Sequence, residues 1–346
     1  MRRLFLLAFA PFVLSVLAVL PACGGEAPPP QAPRQPDPPL DNPPVAAADN
    51  KAPPALSSGD VQRGTKLLSA NDLAGAKAAF EEALRKNAKD AEAMYYLGLV
   101  AEKSQDKAGA EKGYRDALRA RPDLDAAATN LGALLVEAQR FDEAILVLRA
   151  AASRQKDSPE LHLNLGVALA SKGDREGATK AFDQALKLAP KDPVYLVNYA
   201  QWLGQWKDVD GALSRLKAAQ ALAEKDVGLL AAVGFEMKEI HAFPDCIAVF
   251  DKVIAMKDAA ETRTYRALCK SGAGDRPGAV ADLTAAVKKD AKYGPAHFAL
   301  GNQHAQAGRF KEALEAYETY LKVEPNGPLA KQAEERAKLA KSKIKK

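Results

Sequence analysis

The chain has 346 residues, 47% of them apolar and 27% charged, a balance that excludes a disordered or fibrous protein. Lys and Arg number 49 against 44 Asp and Glu, and a net charge of +5 is too even to mark a nucleic-acid-binding face. Three cysteines exclude a disulfide scaffold, and with aromatics at 6% the core has to be built from Ala and Leu.

The first element is a leader. Met1-Arg2-Arg3 is basic, Leu4 to Leu20 is apolar apart from Pro11 and Ser15, and Leu20-Pro21-Ala22-Cys23 closes the run. Basic, apolar and then small is the order of a secretory signal peptide. The run is shorter than the roughly 20 residues that a membrane-spanning helix needs. Leu, any residue, Ala and Cys at its end resemble the lipobox of bacterial lipoproteins. The resemblance implies a signal peptide over residues 1–22, removed before Cys23, with acyl chains on the Cys23 thiol and on the new amino terminus. Several chains on one residue give stable anchoring where one chain does not. Gly24 stands where an Asp would retain such a protein at the inner membrane, so the expected location is the outer membrane, facing the periplasm.

Residues 23–56 follow as a tether from the acylated Cys. Eleven of the 22 prolines lie between Pro28 and Pro54 and leave no room for helix or sheet. Such a segment extends as polyproline II at about 3.1 Å per residue, and its 33 residues after the Cys reach roughly 100 Å. The alternative use of a proline-rich stretch, as a ligand for a partner domain, lacks the basic and aromatic flanks that give such ligands specificity.

From residue 57 the sequence repeats with a period of 34. A small residue recurs as Gly64, Gly98, Gly132, Gly166, Ala200, Gly234, Ala267 and Gly301. A second recurs as Ala76, Ala110, Ala144, Ala178, Ala212, Cys246, Ala279 and Ala313. Four positions later stands a large apolar residue: Phe80, Tyr114, Leu148, Phe182, Leu216, Phe250, Leu283 and Tyr317. Apolar spacings of three and four predict amphipathic helices. A small residue on each of two helices lets them approach, and the large one fills the groove left between them. Gly173-Asp174 and Gly274-Asp275 fall at the turn inside a repeat. Ser158-Pro159 and Asp192-Pro193 fall between repeats, each as an N-cap followed by Pro.

Period and pattern together resemble the tetratricopeptide repeat. The resemblance covers 57–327 in eight units, the sixth one residue short, and implies an all-α, right-handed superhelix of helix-turn-helix repeats. Asp60, Arg63 and Arg266 depart from it, standing where apolar residues are expected. Residues 328–346 are predicted as a basic helix that caps the last repeat, as an open-ended solenoid requires.

Nothing in the sequence carries catalytic chemistry: there is no P-loop, no Cys-x-x-Cys, no His-Glu-x-x-His and no Gly-x-Ser-x-Gly. His162 and His297 share a column expected to face helix packing, so both are read as core histidines; no cofactor or metal is expected. Cys246 and Cys269 lie on helices that face each other and either pair or remain as buried thiols. Trp202 and Trp206 share one helix face, available to a neighbouring repeat or to a partner.

The resemblance also implies that first helices line a concave groove that takes extended peptides or helices of other proteins. Asn130, Asn164 and Asn198 lie two residues before the small residue, where the family forms an amide ladder; an amide both donates and accepts and so matches any peptide backbone. The column three before the small residue includes Tyr95, Leu163, Val197 and Phe298. The column just after it includes Leu99, Val167, Gln201, Phe235 and Asn302. By the resemblance both columns face the groove, and through repeats two to four they form an apolar strip suited to an apolar or amphipathic ligand. No Lys or Arg stands in either column, which argues against a clamp for acidic chain termini. The expected function is a membrane-anchored scaffold that assembles or positions an envelope complex of the pilus-secretin or motility type. Regulation of cell-wall synthases or hydrolases and structural self-association are the alternatives.

Overall fold

The computed structural model describes residues 58–344. The leader, Cys23 and the proline-rich tether lie outside the described residues. Among those described there are 17 helices. Two compact units divide between Tyr195 and Leu196.

The first unit holds α1 (Gly59–Ser69), α2 (Leu73–Lys86), α3 (Ala91–Lys103), α4 (Lys107–Ala120), α5 (Asp125–Glu137), α6 (Phe141–Arg154), α7 (Pro159–Lys172) and α8 (Arg175–Leu188). Each odd helix packs on the even helix after it, and each even helix packs on the next odd one; α5 also touches α7. The division falls inside α9 (Pro193–Gln205). The second unit continues with α10 (Val209–Leu222), α11 (Val227–Glu239), α12 (Phe243–Met256), α13 (Ala260–Gly272), α14 (Arg276–Lys289), α15 (Gly294–Gln306), α16 (Phe310–Val323) and α17 (Ala330–Ile344). It repeats the same scheme, with α13 against both α11 and α15 and with α17 on α16.

The three sequence columns explain the pairing. A Cβ on Gly98 would stand 2.7 Å from the Tyr114 ring, and one on Gly166 would stand 2.6 Å from the Phe182 ring. The aromatic therefore fills the place that a side chain on the facing helix would take. Ala110, Ala144, Ala178, Cys246, Ala279 and Ala313 are all fully buried beside these contacts. Each completely buried large residue removes roughly 1.5–3 kcal/mol of apolar surface cost from the folded state.

The turn inside each repeat needs one left-handed residue. Gly173, Gly274 and Gly308 supply it at φ 90, 86 and 72, and Asn71, Gln105, Gln139, Lys207 and His241 adopt it at φ 58 to 64. The next helix then opens with an aspartate cap in five repeats. Asp106 Oδ1, for example, accepts from Gly109 N–H at 2.9 Å, and Asp174 Oδ1 from Gly177 N–H at 2.9 Å. Between repeats, Asp192 Oδ1 accepts from Val194 N–H at 2.9 Å, as its N-cap reading requires. Ser158 makes no cap bond; its hydroxyl turns to the Glu160 carboxylate at 3.2 Å instead.

The residues that broke the repeat pattern are paired. Asp60, nearly buried, receives Lys86 Nζ at 2.6 Å and Arg63 at 3.4 Å. Arg266 binds Asp282 across the α13–α14 contact, and its Nη1 reaches Asp251 on α12 at 2.7 Å. Burial alone would raise the Asp282 carboxyl, but the hydrogen bonds from Arg266 and Lys270 hold it below the usual carboxylate range. The missing residue of the sixth repeat is lost from the turn between α12 and α13, which has three residues where the others between repeats have four, up to α15. There Asp258 is held by Arg263 Nε at 2.6 Å and Lys289 Nζ at 2.9 Å. The same two helices are joined by a Cys246–Cys269 disulfide, with Cα atoms 6.1 Å apart.

Candidate partner-binding surface

In the first unit the expected groove columns divide into a surface part and a core part. Leu99 and Asn130 are half-buried. Tyr95 is 5% exposed, and its ring lies 5.9 Å from that of Tyr114. The Asn130 amide donates at 3.5 Å to the hydroxyls of both Tyr95 and Tyr114, and the Tyr114 hydroxyl in turn donates to Glu102. Burial pushes both phenols well above their ordinary range, so they stay neutral donors. The Asn130 N–H groups are thus turned toward the protein's own tyrosines, which leaves its carbonyl as the atom suited to an incoming backbone.

Leu163, Val167 and Asn164 are fully buried. For Leu163 and Val167 this corrects the expectation that they form an open apolar strip, and for Asn164 the expectation that its amide is offered to a bound peptide. α7 is packed by α5 as well as by α6 and α8, so a column that faces the next first helix is used for packing rather than offered to solvent. The buried Thr129 of α5, in the same column as Leu163, follows the same logic.

In the second unit Val197, Asn198, Gln201 and Phe235 are half-buried. Phe235 meets the Tyr265 ring edge-on at 5.8 Å, and Lys238 Nζ lies 4.8 Å over its face. Burial pushes the Tyr265 phenol up to about 12. Trp202 is buried and Trp206 partly so, with ring centroids 6.2 Å apart. Tyr199 carries the Arg215 guanidinium 4.1 Å above its ring.

Phe298 and Asn302 are not open either, and here the cause is α17. The Arg336 guanidinium stacks 5.1 Å over Phe298. The Asn302 Oδ1 accepts from Arg336 and, at 2.8 Å, from the Tyr317 hydroxyl. Phe298 is closed in further by Tyr317 and Tyr320 at 5.8 and 5.7 Å. The predicted cap therefore takes the last part of the expected groove. Its signal was Ala333, Ala337 and Ala340, a small-residue stripe with Arg336 one step aside.

His162 and His297 are half-exposed rather than core. Each Nε2 lies 3.0–3.1 Å from a carbonyl six residues back, Lys156 O and Ala291 O, and so clips the turn between repeats. Among the described residues no group of three His, Cys, Asp or Glu stands close enough to hold a metal ion. No described helix is long and apolar enough to cross a membrane.

Profiles of the tetratricopeptide repeat match residues 61–125, 129–193 and 294–326. No curated protein matches the chain. Among solved structures, yeast Tom70 superposes with a TM-score of 0.57 at 15% identity, over 87% of this chain and 67% of that one. A tetratricopeptide repeat protein of Parabacteroides merdae gives 0.51 at 18% identity, over 72% and 98%. PilW, described as a widely conserved type IV pilus biogenesis factor, gives 0.50 at 19% identity, over 57% and 91%.

Proposed function

The chain is a tetratricopeptide-repeat protein, and from that premise we propose that it is a binding scaffold, rather than an enzyme, held at a bacterial outer membrane by acyl chains on Cys23. Its partner is a protein of the cell envelope, taken by the first-helix surface as an extended or helical segment, and the assembly it serves is of the pilus type. The observation that carries the reading is the accessible remainder of the groove columns. Leu99 and Asn130 in the first unit, and Val197, Asn198, Gln201 and Phe235 in the second, are half-buried apolar or amide side chains on first helices. Such a surface offers apolar contact with amides for a peptide backbone. The leader ending in Leu-Pro-Ala-Cys supports the anchor. The structural likeness to PilW supports the direction taken for the process.

Photo-crosslinking amino acids placed at Leu99 and at Gln201 in living cells test the surface. The expected result is one dominant adduct with an envelope protein; a secretin or pilus component would fix the process, and a cell-wall synthase or hydrolase would redirect it. Absence of an adduct from both positions removes the first-helix surface from the reading. Cys23→Ala tests the anchor separately: the variant should keep its leader and leave the outer-membrane fraction.

A further inference from the structure

α17 has two faces of opposite character. Ala333, Ala337 and Ala340 are buried, and Arg336 turns inward to Phe298 and Asn302. Lys331, Lys338, Lys341 and Lys343 are exposed, and none of them makes an ion pair among the described residues. Glu334 and Glu335 are the last acids of the chain. After them residues 338–346 contain five lysines, Lys338, Lys341, Lys343, Lys345 and Lys346, and no carboxylate side chain. These nine residues carry a side-chain charge equal to the net +5 of the whole chain, so everything before them balances to zero. Among the lysines Leu339 stands 55% exposed, one of few large apolar side chains left open.

We propose that this end of α17 docks on an anionic membrane surface, with the lysine ammonium groups among phospholipid headgroup phosphates and Leu339 at the edge of the acyl layer. Lysine is a flexible point charge whose methylene stem lies along apolar surface while its head stays in water. A group of flexible lysines with no arginine fork among them suits a fluid layer of headgroups better than the fixed carboxylates of a folded partner. The exposed leucine among them points the same way, because an amphipathic helix binds membranes by buried apolar area added to charge attraction. The inference rests on the proposed acyl anchor for its setting: anchoring at Cys23 keeps the chain beside a bilayer and raises the effective concentration of the helix there. The protein is then held at both ends, covalently by lipid at one and reversibly by charge at the other.

The test is co-sedimentation of the full chain with vesicles of phosphatidylglycerol and phosphatidylcholine, compared with phosphatidylcholine alone. The leader contributes equally to every variant, so the difference between variants reads the helix, and its failure is separable from failure of the anchor. With each lysine near the surface worth about fivefold, K338A/K341A/K343A should lower binding to the anionic vesicles by about a hundredfold and leave binding to neutral ones unchanged. Half-molar salt should abolish the preference. A smaller loss for Leu339→Ala, with unchanged helicity and melting temperature, supports insertion of that side chain. Equal binding of parent and triple variant to anionic vesicles overturns the proposal. So does binding to polyglutamate with none to either vesicle, which would assign the lysines to an acidic protein.

Discussion

The guanidinium of Arg266 grips the carboxylate of Asp282 through two parallel hydrogen bonds, Nε to Oδ2 at 2.8 Å and Nη2 to Oδ1. The eighth repeat places Leu300 and Ala316 at these same two positions. One helix contact is thus made with a salt bridge in one repeat and with apolar packing in another. Asp282→Ala should destabilise the protein by about 3 kcal/mol in urea unfolding, because Arg266 would lose its buried anion and keep only the exposed Asp251, and Lys270 would lose its partner too. The double variant R266L/D282A restores the pairing of the eighth repeat and should return to within about 1 kcal/mol of the parent. An unchanged midpoint for the single variant would show the ion pair to be idle.

The Cys246–Cys269 link closes a loop over a sequence separation of 23. A loop of that length stabilises by about 3 kcal/mol in the chain-entropy account. Cys246→Ala restores the alanine found at that column in the seven other repeats, so it removes the bond with little change of packing. Its melting temperature should fall to that of the reduced parent and should no longer respond to reductant. Peptide mapping without reductant should recover the two cysteines in one cross-linked fragment.

Glu236 on α11 is held out of water, and burial, then the nearby Glu239, pushes its carboxyl up to about 8. Below the ordinary glutamate range both folded and unfolded states carry the proton and the residue is neutral in effect. As pH rises the unfolded chain releases that proton first, so stability declines until the folded carboxyl ionises near 8. Glu236→Gln should therefore raise stability at pH 7.5 by about 2–4 kcal/mol and by almost nothing at pH 4.5. An equal effect at both values would mean that packing, not ionisation, is being measured.

Lys207 adopts φ 64 where three other repeats place glycine. Lys207→Gly should stabilise by about 0.5–1 kcal/mol, since a left-handed conformation strains any residue with a Cβ. Gly173→Ala, at φ 90, should lose about 1 kcal/mol or more. Thermal melts of the two variants should move in opposite directions.

The helix pairs were legible because their cause is local and periodic: a glycine, an alanine and a large residue at fixed spacing define a contact that recurs. The accessible surface was harder to read. Leu163 and Leu99 both occupy columns assigned to the groove, yet one is fully buried and the other half-buried. What separates them is how closely neighbouring first helices pack, and no single repeat encodes that. Phe298 and Asn302 obeyed the pattern and are nonetheless covered, by a helix outside the repeats whose Arg336 reaches them. Arg266 broke the pattern and is nonetheless at home, because Asp282, sixteen residues on, broke it in the complementary way.

The aromatic face formed by Phe298, Tyr317 and Tyr320, sealed by Leu329 and the alanines of α17, has a consequence for how long the array can be. Each repeat makes a surface that welcomes another first helix, and two ends of that kind would join copies head to tail into an open filament. Because α17 belongs to the same chain, it reaches that surface before any second molecule does. An apolar face covered in this way is closed to the first helix of a second copy, and the exposed lysines on the outer side of α17 repel a like-charged surface.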